Sequence, residues 1–456
     1  MLGVVVSRAD SASVHIGEQL REVADWTAET DGSRPDAAGG GTIYRRPGVA
    51  IREFEALHLD LEAPAAAFDE PSVLAFASRH AGETGPLLTA HHTGNLGPAE
   101  HGGADHALAR AAPNAHGAVL AALARHAPPG YEVGMEATHH GPTDVGAPSL
   151  FVEIGSEAAN WEDEAAAEAV ARAILDLVDE PADRPPEGGE AAGGGVRRHL
   201  VGLGGGHYAP RFERLGRETD WAIGHVAPDW GLDALGDPDT TTGRAVIDAL
   251  FSRSRATVGL LADERPGLEA VVADLGYRTV GETWVRETDG VPLGTVAELE
   301  AAVCPIEEGL RLGDPARAYG GAVAVVDPPA ALLEEARGID AGASRTAVAS
   351  LALAFGTDQE GSRVTGPVAL PAGADPADLV EALAGVLRAG YDAVEVTPEA
   401  VLAREEAFDP ALAREAGVPE GPAFGRLAAG EAVTVDGEQV TPADVHRKRV
   451  RRFPRD

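Results

Sequence analysis

The order of apolar and polar residues predicts alternating strands and helices along the first part of the chain. Short apolar runs bounded by polar or glycine-rich stretches are typical of buried strands. The predicted strands are residues 2–6, 73–77, 87–90, 133–136, 150–154, 200–203 and 221–225. Apolar residues at helical spacing predict a helix that begins near Asn160, and its buried stripe is Ala166, Val170, Ile174 and Leu177. Asn160 can cap this helix, and the acidic residues 162–164 suit the positive end of its dipole.

Strands interleaved with helices indicate an α/β domain in which helices cover both faces of a central sheet. The gap between the predicted strands 73–77 and 87–90 is too short for a crossover helix, so we expect that pair to be antiparallel. The expected fold is therefore a three-layer α/β sandwich with a central mixed sheet.

Composition shifts suggest how the chain is divided. Residues 28–41 and 181–195 are rich in Pro, Gly and acidic residues, which predicts flexible surface insertions. A later region has its own α/β pattern, with a strand at 322–326, a helix at 379–387 and a strand at 393–396. We expect a catalytic domain over residues 1–304 and a smaller α/β domain over residues 305–456.

The charge of the chain changes which functions are plausible. It carries 73 acidic against 37 basic residues, a formal net charge of −36, and Lys448 is the only lysine. This pattern is typical of proteins from salt-accumulating cells, although an acidic protein that avoids nucleic acid is an alternative. A P-loop and Schiff-base catalysis both need a suitably placed lysine, and Lys448 lies near the end of the chain, so the sequence excludes both.

The chain has no apolar run long enough to span a membrane. We therefore expect a cytoplasmic protein that does not contact membranes.

The single cysteine, Cys304, excludes an internal disulfide and a cysteine-rich zinc site, so a metal would need His, Asp or Glu ligands. Fourteen of the fifteen histidines lie between His15 and His225, and half of these lie at or just after the ends of predicted strands. Ligands in α/β sheets bind just beyond strand ends, so we expect these side chains to form one pocket. Imidazoles with a carboxylate suit zinc-assisted hydrolysis, and they also suit metal-free acid–base catalysis. The residue pattern leaves both open.

The order of the motifs carries a resemblance. Ser-Arg-His at 78–80 is followed by Thr-Ala-His-His-Thr-Gly-Asn at 89–95, Thr-His-His-Gly-Pro-Thr at 138–143, Glu-Ile-Gly-Ser-Glu at 153–157, Gly-Gly-Gly-His-Tyr-Ala-Pro at 204–210 and Gly-His at 224–225. Over roughly residues 1–290 the chain resembles the archaeal and plant type of D-aminoacyl-tRNA deacylase. The resemblance implies hydrolysis of the ester between a D-amino acid and the terminal ribose of tRNA. It also implies a fold like those of peptidyl-tRNA hydrolase and nucleoside phosphorylases, and two zinc ions as cofactors.

The same resemblance suggests residue roles. The expected partner is the 3′ acceptor end of D-aminoacyl-tRNA rather than DNA, bound by a monomer. The expected catalytic residues are His80, His92, Asn95, Thr138, His140 and His225; the metal ligands are His91, His139, Glu153 and His207; and the substrate contacts are Ser78, Arg79, Gly205, Gly206 and Tyr208. A metal-dependent amidohydrolase or peptidase, and a non-catalytic tRNA-binding protein with structural histidines, remain alternatives.

The C-terminal region offers two weaker signals. Residues 417–442 resemble a stretch of the tRNA 3′-processing endonuclease of the metallo-β-lactamase class, although a Gly/Pro-rich hairpin without a special role is the alternative. Residues 446–455 are strongly basic, which suits either phosphate contacts or ion pairs with the acidic body. We expect this region to help hold tRNA without taking part in the chemistry.

Overall fold

The computed structural model describes residues 1–187 and 196–455, which form two compact units, Met1–Asp289 and Gly290–Asp456. The division lies upstream of the expected boundary at residue 304. Among the described residues, no helix is long and apolar enough to cross a membrane.

The first unit is a mixed α/β structure. Its described strands are β1 (Leu2–Ser7), β2 (Thr27–Asp31), β3 (Gly41–Arg46), β4 (Val49–Phe54), β5 (Val73–Arg79), β6 (Leu87–His91), β7 (Glu132–Met135), β8 (Ser149–Gly155), β9 (His199–Leu203), β10 (Ala222–Ala227), β11 (Val258–Leu261) and β12 (Arg278–Val280). Its described helices are α1 (Ser11–Glu22), α2 (Pro113–His126), α3 (Ala158–Trp161), α4 (Glu164–Leu175), α5 (Pro210–Glu218), α6 (Asp229–Leu235), α7 (Thr241–Ser254), α8 (Pro266–Asp274) and α9 (Glu282–Glu287). All seven strands predicted from the sequence are present.

An eight-stranded sheet in the order β2-β3-β4-β1-β5-β8-β6-β7 forms the centre of this unit. Strands β4, β1, β5 and β8 run parallel, and β6 is antiparallel to β8. Strands β1 and β8 are buried along their whole length. Strands that are covered on both faces need a nearly continuous apolar sequence, which is why these two were recognisable from the sequence. The expected mixed sheet is confirmed, but β5 and β6 do not pair with each other, since β8 lies between them.

The expectation of one sheet is wrong for two strands. Strands β9 and β10 belong to a second, four-stranded sheet in the order β10-β9-β11-β12. The segment after β7 joins the two sheets: the N–H of Ala137 donates to the carbonyl of His207, and the N–H of Thr138 donates to the carbonyl of Val226, each over 2.8 Å. This junction brings the ends of strands from both sheets together.

Helices α1, α2 and α4 pack against the large sheet, α4 packs against both α1 and α2, and α7 packs on β9 and β10. Helix α4 begins at Glu164, where the carboxylate of Asp163 accepts the N–H groups of Ala165 and Ala166. The prediction of Asn160 as its cap is therefore wrong. Asn160 lies in the short helix α3, and its side chain accepts the N–H of Ser156.

The segment 28–41 is not simply a flexible insertion. Part of it forms the edge strand β2, which pairs with β3. Charged side chains fix it to the domain: Arg52 lies 2.8 Å from Asp31, and Arg8 lies 2.6 Å from Asp36. Of the second expected insertion, residues 188–195 lie outside the described residues.

The second unit is also α/β, as predicted. Its described elements are α10 (Leu293–Ala302), β13 (Leu310–Leu312), β14 (Val323–Val326), α11 (Ala330–Ile339), α12 (Ala341–Ala349), β15 (Ala354–Asp358), β16 (Arg363–Pro371), α13 (Pro376–Leu387), β17 (Ala393–Val396), β18 (Ala400–Phe408), α14 (Pro410–Glu415), α15 (Pro422–Ala428), β19 (Val433–Val435), β20 (Glu438–Val440), α16 (Pro442–Val445) and β21 (His446–Pro454). The sheet β13-β15-β16-β14 shares an apolar core with α11–α13. The basic residues near the C-terminus form a strand, β21, which pairs with β18 along its whole length.

We expect molar KCl to raise the melting temperature. The excess of acidic over basic residues repels itself in the folded state, and 1 M salt shortens the screening length to about 3 Å. Salt also weakens surface ion pairs such as Arg388–Glu381, but each of these contributes only about 0–1 kcal/mol. Each net gain of 1 kcal/mol should raise the melting temperature by about 2–4 °C. Scanning calorimetry in 0.1 M and 2 M KCl checks this, and equal melting temperatures would contradict it.

Candidate functional site

A cavity of about 720 Å³ opens beside the ends of the central strands of the first unit. Its wall combines the segments that follow β1, β4, β5, β6, β7 and β9 with the end of β5, part of β8 and α6. The polar and aromatic residues that line it include Asp10, His58, Ser78, Arg79, His80, Asn95, Glu100, His101, His139, His140, Glu153, His207 and Trp230. The expected convergence of polar clusters at strand ends therefore occurs, although it needs strands from two sheets.

Glu153 is the carboxylate that the sequence placed in this site. It lies within the apolar strand β8 and is only 3% exposed. Its Oε1 is 3.5 Å from Nε2 of His91, and its Oε2 is 3.7 Å from Nδ1 of His80. Burial opposes ionisation of this group, but the two histidines outweigh it and lower the pKa of Glu153 to about 2. Glu153 is therefore an anion at neutral pH.

Glu136 is a second buried carboxylate, and it was absent from the expected site residues. Its Oε2 lies 2.8 Å from Nε2 of His207 and 3.7 Å from Nε2 of His139, and its Oε1 lies 3.1 Å from Nδ1 of His80. Burial opposes ionisation here too, but His207 and His80 outweigh it and hold the pKa of Glu136 well below its usual value. A carboxylate at the end of a predicted strand, two residues before the Thr-His-His motif, was the signal that could have identified it.

His91, His139 and His140 form a close group of imidazoles, in which His91 stacks on His139 and His140 meets both rings edge-on. Their ring centroids are 4.2 Å (His91–His139), 4.4 Å (His139–His140) and 4.8 Å (His91–His140) apart. In each ring Nδ1 faces a backbone carbonyl, at 3.1 Å for His91, 2.8 Å for His139 and 2.6 Å for His140. Because a carbonyl only accepts, Nδ1 must carry the proton, and Nε2 of a neutral ring then presents a lone pair.

The ionisation of these rings follows from their surroundings. Burial lowers the pKa of His140 to about 4, and burial together with neighbouring His91 keeps the pKa of His139 well below its ordinary value. Both rings are therefore neutral at pH 7. For His91, burial also favours the neutral ring, but contact with Glu153 prevails and raises its pKa.

The residues present fit a metal centre. Three groups of candidate ligands bring their donor atoms within 4.8 Å of one another: His91 with His139 and His140; His80 with Glu136 and His207; and His91 with Glu136 and Glu153. Nε2 of His91 and both carboxylate oxygens of Glu136 are buried without a well-aligned hydrogen bond, which is costly unless a cation satisfies them. Imidazole nitrogens with carboxylate oxygens form the donor set that zinc prefers.

His80 connects this cluster to the cavity wall. Burial disfavours its charged form, but Glu136 and Glu153 outweigh burial and raise the pKa of His80 to about 11. Its Nε2 lies 2.8 Å from the hydroxyl oxygen of Tyr208. In the absence of a cation His80 is therefore a proton donor at neutral pH, and it fixes the position of Tyr208.

Three of the expected catalytic residues lie outside the cavity. His92 is fully buried, with Nδ1 bonded to the carbonyl of Gly224 and Nε2 accepting the N–H of Ala112. His225 bonds Thr138 through Nδ1 at 3.0 Å and the carbonyl of Ala109 through Nε2 at 2.9 Å. The expectation that His92, Thr138 and His225 share the pocket with the other histidines is therefore wrong, because protein hydrogen bonds already occupy their polar atoms.

Of the remaining residues expected to contact the substrate or take part in catalysis, some line the cavity and others support the loops around it. Ser78 and Arg79 line the cavity, and the guanidinium of Arg79 lies 5.2 Å above the ring of Trp161. Asn95 also lines it, but its amide donates to two backbone carbonyls and so shapes the surrounding loop. Gly205 has a φ of 93°, which suits glycine, and its carbonyl accepts the N–H of Asp229 at the start of α6.

Gly206, like Gly205, was expected to contact substrate, and these glycines form the turn that carries His207. Neither lines the cavity itself. His140 has a φ of 42°, an uncommon value for a residue other than glycine. This backbone turn brings the adjacent rings of His139 and His140 to the same side.

Comparisons with known proteins agree with this geometry. A family model described as D-aminoacyl-tRNA deacylase matches residues 67–279, a range that holds both carboxylates and every histidine of the cluster. A protein named D-aminoacyl-tRNA deacylase from Haloarcula marismortui is 55% identical over 99% of this chain and 100% of its own length. A protein of the same name from Halorubrum lacusprofundi is 53% identical over 100% of this chain and 97% of its own. The second unit is therefore present in these relatives from halophilic archaea.

A solved structure supports the fold. The crystal structure of a conserved protein of unknown function superposes with a TM-score of 0.54 at 26% sequence identity. The match covers 63% of this chain and 98% of that protein.

Proposed function

The chain belongs to the D-aminoacyl-tRNA deacylase family, and on that premise we propose that it hydrolyses the ester bond between a D-amino acid and the 3′-terminal ribose of tRNA. The observation that carries the proposal is the cluster of two buried carboxylates, Glu136 and Glu153, with five histidines. Four of the five histidines line one open cavity: His80, His139, His140 and His207. Because the substrate is charged tRNA, the proposed location is the cytoplasm, where translation uses it.

We propose two zinc ions as cofactors, one held by His91, His139 and His140 and the other by His80, Glu136 and His207. Zinc bound there would supply a Lewis acid at neutral pH. Support comes from the Nε2 lone pairs of the neutral rings of His139 and His140, and from the buried oxygens of Glu136 that lack aligned hydrogen bonds.

The protein side chains have separate tasks in this proposal. Glu153 and Glu136 orient the imidazoles and keep the cluster from accumulating positive charge. The hydroxyl of Tyr208 accepts a hydrogen bond from Nε2 of His80 and so orients that ring within the cluster. The guanidinium of Arg79 lines the cavity and suits a phosphate near the 3′ end of the tRNA.

We expect purified protein in molar KCl to hydrolyse D-tyrosyl-tRNA and to spare L-tyrosyl-tRNA. Release of labelled tyrosine from each substrate measures this, with a ratio of kcat/KM values of at least about 100 expected for a site that rejects one hand sterically. Equal turnover of the two substrates would contradict the proposal. Cleavage of free peptides without turnover of either tRNA would instead indicate an amidohydrolase or peptidase.

We further propose that strand β21 of the second unit contacts tRNA phosphates. Part of its charge is neutralised within the protein, since Arg447 lies 3.1 Å from Asp409 and Arg451 pairs with Glu335. No ion pair found between described residues involves Arg449 or Arg452, and both are exposed. These two guanidinium groups are therefore available to an external anion.

Replacing both Arg449 and Arg452 by Gln should raise KM for D-aminoacyl-tRNA several-fold and leave kcat unchanged, because phosphate contacts bind ground and transition states alike. The slope of log KM against log salt should become shallower by up to about 2. Arg388→Gln with Arg404→Gln is the matched control, because both residues are exposed and already paired with carboxylates. A fall in kcat at unchanged KM would refute the proposed role.

A further inference from the structure

Trp230 is a cavity residue that neither the proposed chemistry nor the packing of the protein explains. It lines the same cavity as His139 and Glu153, and it is 50% exposed. Among the described residues, no aromatic ring or guanidinium stacks on it. The other tryptophans all have partners: Trp26 and Trp161 donate to backbone carbonyls and lie under arginines, and Trp221 packs against Trp284.

The position of the indole is fixed by helix α6. Leu232 and Leu235 of this helix are buried in the core of the second sheet. At the start of the helix, Asp229 donates its N–H to Gly205 over 2.8 Å and forms an ion pair with Arg265 at 2.7 Å. Because these contacts hold the helix backbone in place, they keep Trp230 at the cavity wall, on the side of the helix that the apolar core does not use.

The other residues that line the cavity indicate which kind of ligand could cover the indole. Ala234, one helical turn after Trp230, lines the same wall, so the side chain beneath the indole is small and adds no competing polar group. The cavity volume of about 720 Å³ lies in the range that holds small organic ligands. Among the described residues, Arg79 is the one arginine that lines the cavity, and no lysine lines it. A nucleotide fits this combination, because its flat base can stack on the indole of Trp230 while its phosphate pairs with the guanidinium of Arg79.

We propose that Trp230 stacks on the 3′-terminal nucleobase of aminoacyl-tRNA. This inference rests on the proposed function, because the ester that the enzyme cuts is attached to the ribose of that nucleotide. Stacking uses the face of a base, which every tRNA presents regardless of its amino acid. The contact therefore holds the nucleotide while the amino acid is tested elsewhere in the cavity, and it makes Trp230 a substrate-positioning residue.

The first test separates binding from chemistry. Trp230→Ala should raise KM for D-aminoacyl-tRNA roughly 5-fold to 150-fold, the range measured for the loss of one base stack, while kcat changes by less than about 3-fold. Trp230→Phe should restore KM to within about 5-fold of the wild type, because phenylalanine keeps an aromatic face. A melting temperature for Trp230→Ala close to that of the wild type shows that the variant is folded. An unchanged KM in folded Trp230→Ala would overturn the inference.

The second test does not depend on turnover. Adenosine monophosphate, added as a probe, should quench the tryptophan fluorescence of the wild-type protein, and this quenching should be absent in Trp230→Phe. Trp26→Phe is the matched control: it removes one indole remote from the cavity lining, so the quenching should remain. Equal quenching in the wild type and in Trp230→Phe would overturn the stacking contact. If the wild type hydrolysed no aminoacyl-tRNA but showed Trp230-dependent quenching, the proposed function would fail and the nucleobase contact would stand.

Discussion

Glu136→Gln is expected to lower kcat/KM for D-aminoacyl-tRNA by at least about 100-fold, because loss of a mere partner of metal-ligating histidines costs about 10–100-fold and Glu136 is itself a proposed ligand. The carboxylate contacts His80, His139 and His207 together, so its charge acts on three imidazoles at once. Glutamine keeps the size of the side chain but presents an N–H₂ group on one side. That group repels a cation and cannot accept a hydrogen bond, so the side chain can no longer accept from His80 and His207 at the same time.

The measurement combines steady-state kinetics with zinc content by elemental analysis. We expect Glu136→Gln to lose zinc, and we expect chelation of the wild type to abolish activity that added zinc restores. Glu132→Gln is the matched control, because Glu132 begins strand β7, which Glu136 directly follows, but its side chain is exposed. Full activity in a folded Glu136→Gln protein would show that the cluster is structural.

The sequence predicted the strands well because buried strands need apolar runs, and it could not predict which sheet each strand joins. The runs that form β9 and β10 look like the run that forms β1, and all three are completely buried. Membership is decided by distant backbone contacts such as Thr138 to Val226, which no local pattern shows. The same contacts explain why a pocket predicted for one sheet edge is built from two sheets.

Adjacent histidines show where prediction of the site succeeds and where it fails. Successive side chains at the end of a strand point to opposite faces, so His91 joins the cluster and His92 points into a separate buried group with His116 and His225. His139 and His140 both reach the cavity because His140 adopts a positive φ. Sequence spacing alone does not distinguish these two pairs.

We expect the protein to lose stability steeply as the pH falls from about 6.5 to about 4.5. Burial lowers the pKa of both His116 and His225 to about 4 in the folded protein, against an ordinary value of 6.5. Between those values the unfolded chain binds a proton at each site and the folded protein does not, so stability is complete above about pH 6.5 and declines below it. Each histidine should cost about 3 kcal/mol by pH 4, a large part of a typical stability of 5–15 kcal/mol.

Other groups titrate in ways that the experiment can separate. Glu153, with a pKa of about 2 in the folded protein and an ordinary value of 4.5, stabilises the fold above pH 4.5, and its contribution is lost only below that value. Protonation of surface carboxylates reduces the net charge of −36 and acts in the opposite direction. Unfolding by urea in 2 M KCl screens that repulsion, so the loss between pH 6.5 and 4.5 reports the buried histidines.

His116→Leu tests the assignment directly. Neither ring nitrogen of His116 has a well-aligned hydrogen bond, so leucine should preserve stability at pH 7 to within about 1 kcal/mol. The dependence of the unfolding free energy on pH should become shallower by up to about 1.4 kcal/mol per pH unit, the contribution of one proton. His126→Leu is the control, since His126 ends the same helix α2 at the surface beside Asp176 and leaves the buried rings unchanged. The same slope in His116→Leu as in the wild type, at equal stability at pH 7, would mean that His116 does not remain neutral in the folded protein.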